Sequence, residues 1–307
     1  MKTIIITISL IILLTSCTTQ PDLISREKSL TNIKKFNLEN DLYPPKMHSN
    51  EFTEPKPLEG LINTAGAEDS PFIPINSNEF YFFFTPDASI PAERQVGDKV
   101  TGIYVSKKVG DEWTEPTRVI LQNRNKLSLD GCEFILEDKI WFCSAREGYT
   151  GLHWFTAERK DDIYKKWKLA DFPDDLKIGE LHIHENKLYF HSDMDGTVGQ
   201  NDIWTLELIN DQWQNLTNVT AINSTLDDSL PYISNDGHEL WITRFYKGSP
   251  ALFRSRLDND SWTTPELIVS QFAGEPTLDS QGNLYFVHHY VIDGKIQEAD
   301  IYYSKRK

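Results

Sequence analysis

Acidic side chains lie where the chain enters a short apolar strand at five places, and carboxylates in such a pattern can do chemistry. They are Glu68 and Asp69, Asp130 and Glu133, Glu180, Asp227 and Asp228, and Glu275. Four of them are candidates for ligand binding or catalysis: Asp69, Glu180, Asp228 and Glu275. If those strand entries surround one opening, the carboxylates could bind a cation, hold a polar ligand, or act as the acid and base of a glycoside hydrolase. The structural alternative is that they accept hydrogen bonds from neighbouring backbone N–H groups and fix turns. The recurrence favours that alternative for most of the acids, because catalysis usually breaks a repeat.

Histidines break the repeat at the third place. Alternation puts Glu180, His182 and His184 on one face of a strand, and a tight turn at Glu185-Asn186 would set Glu180 opposite His191. A carboxylate beside an imidazole can orient and charge it. The candidates for metal ligation or proton transfer are His182, His191 and His288. The alternative is a set of half-buried strand histidines, since His-x-His alone lacks the ligand spacing of zinc motifs. No cofactor is required, although a divalent cation could occupy the opening.

The cysteines are compatible with an oxidising compartment, which permits a disulfide. Apart from Cys17 there are Cys132 and Cys143. If Glu137-Asp138 is a two-residue hairpin turn, counting outward sets Cys132 opposite Cys143, close enough for a disulfide. Two buried thiols remain the alternative, because a register slip of one residue would separate the side chains.

The elements that must position these residues form a repeat. Aromatic strands recur at Phe80–Phe84, Ile140–Phe142, Leu188–Phe190, Leu240–Ile242 and Leu284–Phe286. The strands that follow them begin at Ile103, Leu152, Ile203, Leu252 and Ile301, which are 49, 51, 49 and 49 residues apart. With a short strand before each pair and a Trp-headed strand after most of them, the unit is four strands in about 50 residues, repeated five times. This predicts an all-β fold, a five-bladed β-propeller of four-stranded antiparallel blades.

The last unit ends at Lys307 without its Trp-headed strand. Glu51-Phe52-Thr53-Glu54-Pro55 matches Glu112-Trp113-Thr114-Glu115-Pro116 and Ser261-Trp262-Thr263-Thr264-Pro265. We therefore expect the N-terminal strand to complete the last blade and close a propeller over residues 51–307.

The units resemble the WD-like propeller repeats of the TolB type. The resemblance is carried by the approach Asp227-Asp228-Ser229-Leu230-Pro231, the turn Ser234-Asn235-Asp236-Gly237 and the Trp-x-x-Pro outer strand. It covers residues 51–307 and implies the fold rather than a function, because the family includes scaffolds, ligand binders and enzyme-associated domains. The second unit departs from the pattern, with no Asp-Gly turn and no Pro after Trp167, and the third has Leu216 in place of that Pro.

The N-terminus has the features of a targeting signal. Residues 1–17 have a basic start, an apolar run from Ile4 to Leu14 and a small-residue exit, which is typical of a secretory signal. Leu14-Thr15-Ser16-Cys17 resembles the bacterial lipobox, which implies diacylation of Cys17 and cleavage before it. Residues 18–50 read as a mostly irregular tether. An inner-membrane retention signal would place Asp directly after the cysteine, where this chain has Thr18. We therefore expect a lipid-anchored protein of the cell envelope at the outer membrane, on either its periplasmic or its surface face.

Composition and the absence of several motifs exclude some classes of function. A net charge of −15 argues against nucleic acid as a partner, and there is no Gly-x-Ser-x-Gly elbow, phosphate loop or dinucleotide fingerprint. We expect a monomer that binds or scaffolds a glycan, peptide or envelope protein at the channel mouth. The alternative is a glycan-active hydrolase that uses the mouth carboxylates, with Tyr149, Trp154 or Tyr246 exposed for sugar stacking.

Overall fold

A computed structural model describes residues 24–31, 33–36, 38–123 and 125–307. The predicted signal sequence and Cys17 lie outside the described residues. Within the described ranges no helix is long and apolar enough to cross a membrane. The helices there are two single turns, α1 (Arg26–Ser29) and α2 (Ala92–Gln95), and a 3-10 turn at Leu38–Asn40. The regular structure is otherwise β, so the fold is all-β.

After the short strands β1 (Lys46–Met47) and β2 (Lys56–Pro57), the strands form five antiparallel meanders of the described chain. The first contains β3 (Ala67–Phe72), β4 (Glu79–Thr85), β5 (Gly102–Val109), β6 (Glu112–Trp113) and β7 (Thr117–Arg118). The second contains β8 (Ser128–Leu136), β9 (Lys139–Arg146), β10 (His153–Lys160) and β11 (Ile163–Leu169). The third contains β12 (Leu181–His184), β13 (Lys187–Ser192), β14 (Asp202–Ile209) and β15 (Gln212–Asn218).

The fourth meander contains β16 (Asp228–Ile233), β17 (Glu239–Tyr246), β18 (Ser249–Asp258), β19 (Ser261–Trp262) and β20 (Glu266–Ser270). The fifth contains β21 (Ala273–Leu278), β22 (Leu284–Ile292) and β23 (Lys295–Ser304). The second and third meanders are four-stranded antiparallel sheets, whereas the outer strand of the first and of the fourth is split into two short pieces.

The second strand of each meander is buried on both faces, which explains its continuous aromatic sequence. In β4, Phe80, Phe82 and Phe84 on one face and Tyr81 on the other are almost fully buried. A strand covered on both sides reads as an unbroken apolar run rather than as alternation. The covering surfaces come from neighbouring meanders: the ring of Phe80 packs on that of Tyr285, with centroids 5.5 Å apart.

The first strands of the five meanders lie side by side. Strand β3 contacts β8, β8 contacts β12, β12 contacts β16, β16 contacts β21, and β21 contacts β3. A single parallel pair, Ala299 with Ala67, also joins the fifth meander to the first.

The N-terminal strand pairs with the last strand of the chain. Lys56 and Pro57 pair with Tyr303 and Tyr302, and Phe52 bridges to Arg306. The three similar sequence segments make the same hydrogen bonds. The hydroxyls of Thr53, Thr114 and Thr263 accept from backbone N–H groups of the adjacent strand at 2.9, 3.0 and 2.9 Å.

The described residues between 24 and 50 contain little regular structure, and they contact the body. Arg26 is 3% exposed and forms an ion pair with Glu68, the ring of Phe36 stacks on Tyr290, and β1 pairs with β20. The segment therefore packs across the first, fifth and fourth meanders. Its polar composition concealed this, because the docking uses single charged and aromatic side chains rather than an apolar stripe.

Candidate ligand-binding site

A β-bulge recurs where four of the five first strands approach their common axis. The bulges place Ser70, Cys132, Leu230 and Glu275 at φ of 49, 53, 52 and 54°, and the register with the second strand shifts there. A bulge bends its strand and re-aims the side chains beside it. In the third meander Glu180 stands at the corresponding place, just before β12.

A recess of about 50 Å³ lies between these bulges. Its acidic lining consists of Glu133, Glu180 and Glu275, and its apolar lining includes Pro71, Leu181, Leu230, Pro231 and Pro276. We call this cavity the acidic recess. It lies at the end of the meanders where the chain enters the first strands, as the sequence predicts for the acids.

A layer of buried rings lies beneath the acidic recess. The ring centroids of Phe134 and His182 are 4.6 Å apart, those of His182 and Tyr232 are 4.7 Å apart, and those of Phe72 and Phe134 are 5.2 Å apart. All four side chains are buried. Burial lowers the pKa of His182 to about 3, so that this imidazole is a neutral packing ring. Phe72, His182 and Tyr232 of this layer also line the acidic recess, so the ring layer forms part of its wall.

Asp69 and Glu275 form a coupled pair beside the acidic recess. The backbone N–H of Ser70 donates to an oxygen of each, at 3.0 and 2.5 Å. Burial and the nearby Asp69 and Glu180 raise the pKa of Glu275 well above its usual range. Burial also opposes ionisation of Asp69, but the neighbouring His289 and a hydrogen bond from Glu275 outweigh it and hold the pKa of Asp69 below its ordinary value. Glu275 therefore holds the proton and Asp69 the charge.

Glu133 and Glu180 complete the acidic group. Glu133 is 6% exposed, and neither of its carboxyl oxygens has a hydrogen-bond partner. Burial, helped by Glu180 and Asp69, raises the pKa of Glu133 well above the ordinary value. Burial and Asp69 raise the pKa of Glu180 to about 7. A buried carboxyl without a partner is costly for the fold. Glu133 is therefore a candidate for binding a ligand that would donate hydrogen bonds to it.

The structure brings together Asp69, Glu180 and Glu275 but takes Asp228 elsewhere. Asp228 is buried at the start of β16, outside the lining of the acidic recess. It accepts hydrogen bonds from the backbone N–H and hydroxyl of Ser224 and pairs with Arg244. It therefore has the turn-fixing role that was the structural alternative. Glu133 takes its place in the recess. Aligning the repeats offers a signal for this, because Glu133 stands where three other units have a proline.

The three candidate histidines lie apart. His182 is in the ring layer. His191 lies behind Glu180, where Nδ1 accepts from the N–H of Leu230 at 3.3 Å, and burial lowers its pKa to about 4. His288 is fully buried against Asp41, at 3.0 Å.

The histidine nearest the acids is His289, whose Nε2 is 3.9 Å from a carboxylate oxygen of Asp69. Alternation places only one of two successive histidines at the recess, and the sequence does not say which. Among the described residues no group of three or more His, Cys, Asp or Glu side chains has the geometry to hold a metal ion.

Cys132 and Cys143 form a disulfide, with Cα atoms 5.4 Å apart. The predicted hairpin turn is present, since Leu136 pairs with Lys139. The register outward of it is different, because the bulge pairs Gly131 rather than Cys132 with Cys143. Cys132 also lines the acidic recess, so the disulfide fixes one wall of the site.

The candidate stacking aromatics are packed against the protein. Trp154 donates from its indole N–H to the carbonyl of Ile178 at 2.9 Å, and the ring of Tyr246 packs on Phe253. Tyr149 is the more exposed, yet one face of it packs on Phe155. These contacts agree with inter-strand packing.

No protein-family model matches the chain, and no curated protein matches its sequence. Among solved structures the chain is similar to TolB from Acinetobacter baumannii, with 9% identity and a TM-score of 0.46 over 80% of this chain and 56% of that one. It is similar to the endo-arabinase from Bacteroides thetaiotaomicron, with 15% identity and a TM-score of 0.49 over 76% and 93%. It is also similar to a gluconolactonase from Xanthomonas campestris, with 11% identity and a TM-score of 0.46 over 86% and 95%. The chain thus spans little more than half of that TolB chain, and at such identities the similarity concerns fold and not activity.

Proposed function

We propose that this chain is a lipid-anchored protein of the cell envelope, that its five meanders are the blades of a closed propeller, and that the acidic recess binds a ligand at one mouth. The succession of contacts from β3 through β8, β12, β16 and β21 back to β3 supports five blades around one axis. The pairing of β2 with β23 supports closure by the N-terminal strand. Such a ring covers both faces of every sheet.

The small volume of the acidic recess is the observation that favours binding over hydrolysis. Carboxyl groups from three blades line it, yet buried rings form part of its wall and its volume is about 50 Å³. Pockets for small molecules usually have about 300–1,000 Å³. A glycoside hydrolase must hold a sugar ring between its two acids, and this recess has no room for one. It suits an end group of a glycan, peptide or envelope protein that otherwise stays outside.

The anchor would keep the mouth near the membrane. Arg26 is fixed to Glu68 at the entry to β3, the same end of the blade as the acidic recess. Nine residue steps separate Cys17 from Arg26, and an extended chain of that length reaches about 30 Å. With Cys17 acylated, the ligand would therefore lie at the membrane surface. The sequence after the cysteine favours the outer membrane.

A hydrolase is the second candidate, and one observation favours it. Neighbouring acids with pKa values pushed apart are typical of an acid and base pair, and here the pKa of Glu180 is raised to about 7 while that of Asp69 is lowered. On this alternative Glu180 or Glu275 would be the acid and Asp69 the base or nucleophile.

Arrays of glycans and of peptides, probed with the full-length protein, separate the two functions. We expect binding without release of reducing sugar, weakened by Glu180→Gln and unchanged by Glu158→Gln, which removes an exposed carboxylate on β10. Release of reducing sugar by the wild type, lost in Glu180→Gln, would replace the binding function with the hydrolase. Binding that Glu180→Gln leaves unchanged would move the site away from the recess.

A further inference from the structure

We propose that the group bound in the acidic recess is a primary ammonium, presented on the side chain of a lysine from a partner protein. This inference rests on the proposed binding function of the mouth and names what the mouth recognises.

The first argument is the contrast between two sets of buried acids. Three buried acids stand two residues before a bulge residue, and each forms an ion pair with an arginine. Glu68 pairs with Arg26 at 3.1 Å, Asp130 with Arg146 at 2.7 Å, and Asp228 with Arg244. No lysine or arginine of the described residues forms an ion pair with Glu133, Glu180 or Glu275. The fold thus supplies cations to its structural acids and withholds them from the acids of the recess.

The second argument is the unsatisfied carboxyl of Glu133. It lines the recess, is 6% exposed, and has no hydrogen-bond partner for either oxygen. An ammonium has three donors and no acceptor, so it can donate to one carboxyl from each of the three blades. A neutral hydroxyl has one donor, and an anion would be repelled by every carboxyl group that is ionised.

The shape of the recess favours a slender cation. A lysine places its ammonium at the end of a flexible four-carbon stem, which suits a recess of about 50 Å³. Arginine presents a planar guanidinium with five donors in a fixed fork, and an amino sugar carries its nitrogen directly on a ring.

The walls fit that stem. Pro71, Leu230, Pro231 and Pro276 line the recess, and lysine methylenes pack well along apolar surfaces. The floor is aromatic, and an ammonium within about 6 Å of a ring face gains a cation–π attraction. Phe72 and Tyr232 reach the recess from the ring layer.

Binding should strengthen as the pH rises, because the carboxyl groups must ionise to accept the cation. The titratable groups that face the site are Asp69, Glu133, Glu180, Glu275, His182 and His289. Burial and Asp69 raise the pKa of Glu180 to about 7, and the pKa values of Glu133 and Glu275 are also raised. His182 stays neutral through this range, because burial holds its pKa near 3.

The test is a titration of the full-length protein with Nα-acetyl-lysinamide, followed by NMR at pH 6 and pH 8. Nα-acetyl-norleucinamide, which lacks the ammonium, and Nα-acetyl-argininamide are the matched probes. We expect both to bind at least about tenfold more weakly than the lysine compound, which corresponds to about 1.4 kcal/mol. We also expect tighter lysine binding at pH 8.

Glu133→Gln should weaken lysine binding about tenfold, and Glu158→Gln should leave it unchanged. Glu180→Gln provides the same test should Glu133→Gln fail to fold. Equal binding of lysine and norleucine compounds, or an unchanged affinity in both recess variants, would overturn the inference. Array binding that persists while the lysine compound fails would refute the ammonium but keep the binding function. If neither the array ligands nor the lysine compound bind, both the ammonium inference and the binding function are refuted.

Discussion

At the scale of residues, the buried carboxyl group of Glu133 is costly for the fold, because neither of its oxygens has a hydrogen-bond partner. The corresponding residue of the third meander is Leu181, and the other three meanders have proline there. We therefore expect Glu133→Leu to raise the free energy of unfolding by about 1–3 kcal/mol, since a buried unsatisfied polar group costs about that much. Urea denaturation at pH 7.5 measures it, with Glu158→Leu as a surface control. A less stable Glu133→Leu protein would mean that the carboxyl has a partner when the protein is in solution.

The raised pKa of Glu180 also predicts how stability changes with pH. A carboxyl whose pKa is higher in the folded than in the unfolded state keeps its proton longest when folded, so the free energy of unfolding falls as pH rises. For Glu180 the fall should run from about pH 4.5 to 7 and reach at most about 3 kcal/mol. Denaturation of wild type and Glu180→Gln at pH 5 and pH 8 should show a smaller fall in the variant. Parallel curves would mean that Glu180 is not buried against Asp69.

Residue identity alone could not separate the acids of the recess from those paired with arginine. Asp69 and Glu275 lie in the first half of a first strand, and Glu180 lies just before one. Asp228 has the same kind of position, but its role is set by Arg244, sixteen residues along the chain. Glu133 reaches the recess because a bulge turns it inward, and no periodic pattern signals a bulge.

At the scale of elements, the repeat in the sequence is the repeat in the structure. The five aromatic strands, their partners and the hairpin at Glu137-Asp138 all lie where the spacing predicts, because an even period of about 50 residues leaves little freedom of register. The two departures are local. The bulge changes the partner of Cys143, and the segment before residue 51 packs on the body, since each depends on single contacts rather than on a period.

The disulfide should stabilise the second meander modestly. It closes a loop with a sequence separation of 11 residues, for which loop entropy predicts about 3 kcal/mol. Replacing both cysteines by serine should lower the free energy of unfolding by about that amount. Because Cys132 lines the acidic recess, the same variant should also weaken ligand binding. An unaltered denaturation curve would show that the bond adds nothing beyond the hairpin itself.

At the scale of the whole molecule, the N-terminal segment joins meanders that are distant in sequence. In the fourth meander, Arg244 donates hydrogen bonds to both Asp228 and the carbonyl of Ile222, at 2.7 Å for the latter. In the first meander the corresponding bonds, to Glu68 and to the carbonyl of Ile62 at 2.8 Å, come from Arg26. A residue outside the repeats thus supplies the cation that the first meander lacks.

Loss of Arg26 should therefore damage the body and not merely free the segment. Arg26→Leu leaves Glu68 buried, 0% exposed and without its cation, and breaking one side of a buried pair typically costs about 3–5 kcal/mol. Glu68→Gln in the same chain should restore part of that loss, because the uncompensated charge is gone and the two residues are coupled. Denaturation of both single variants and the double variant measures the coupling, while hydrogen exchange reports whether residues 24–36 detach. If the loss in the double variant equals the sum of the two single losses, Arg26 and Glu68 do not interact.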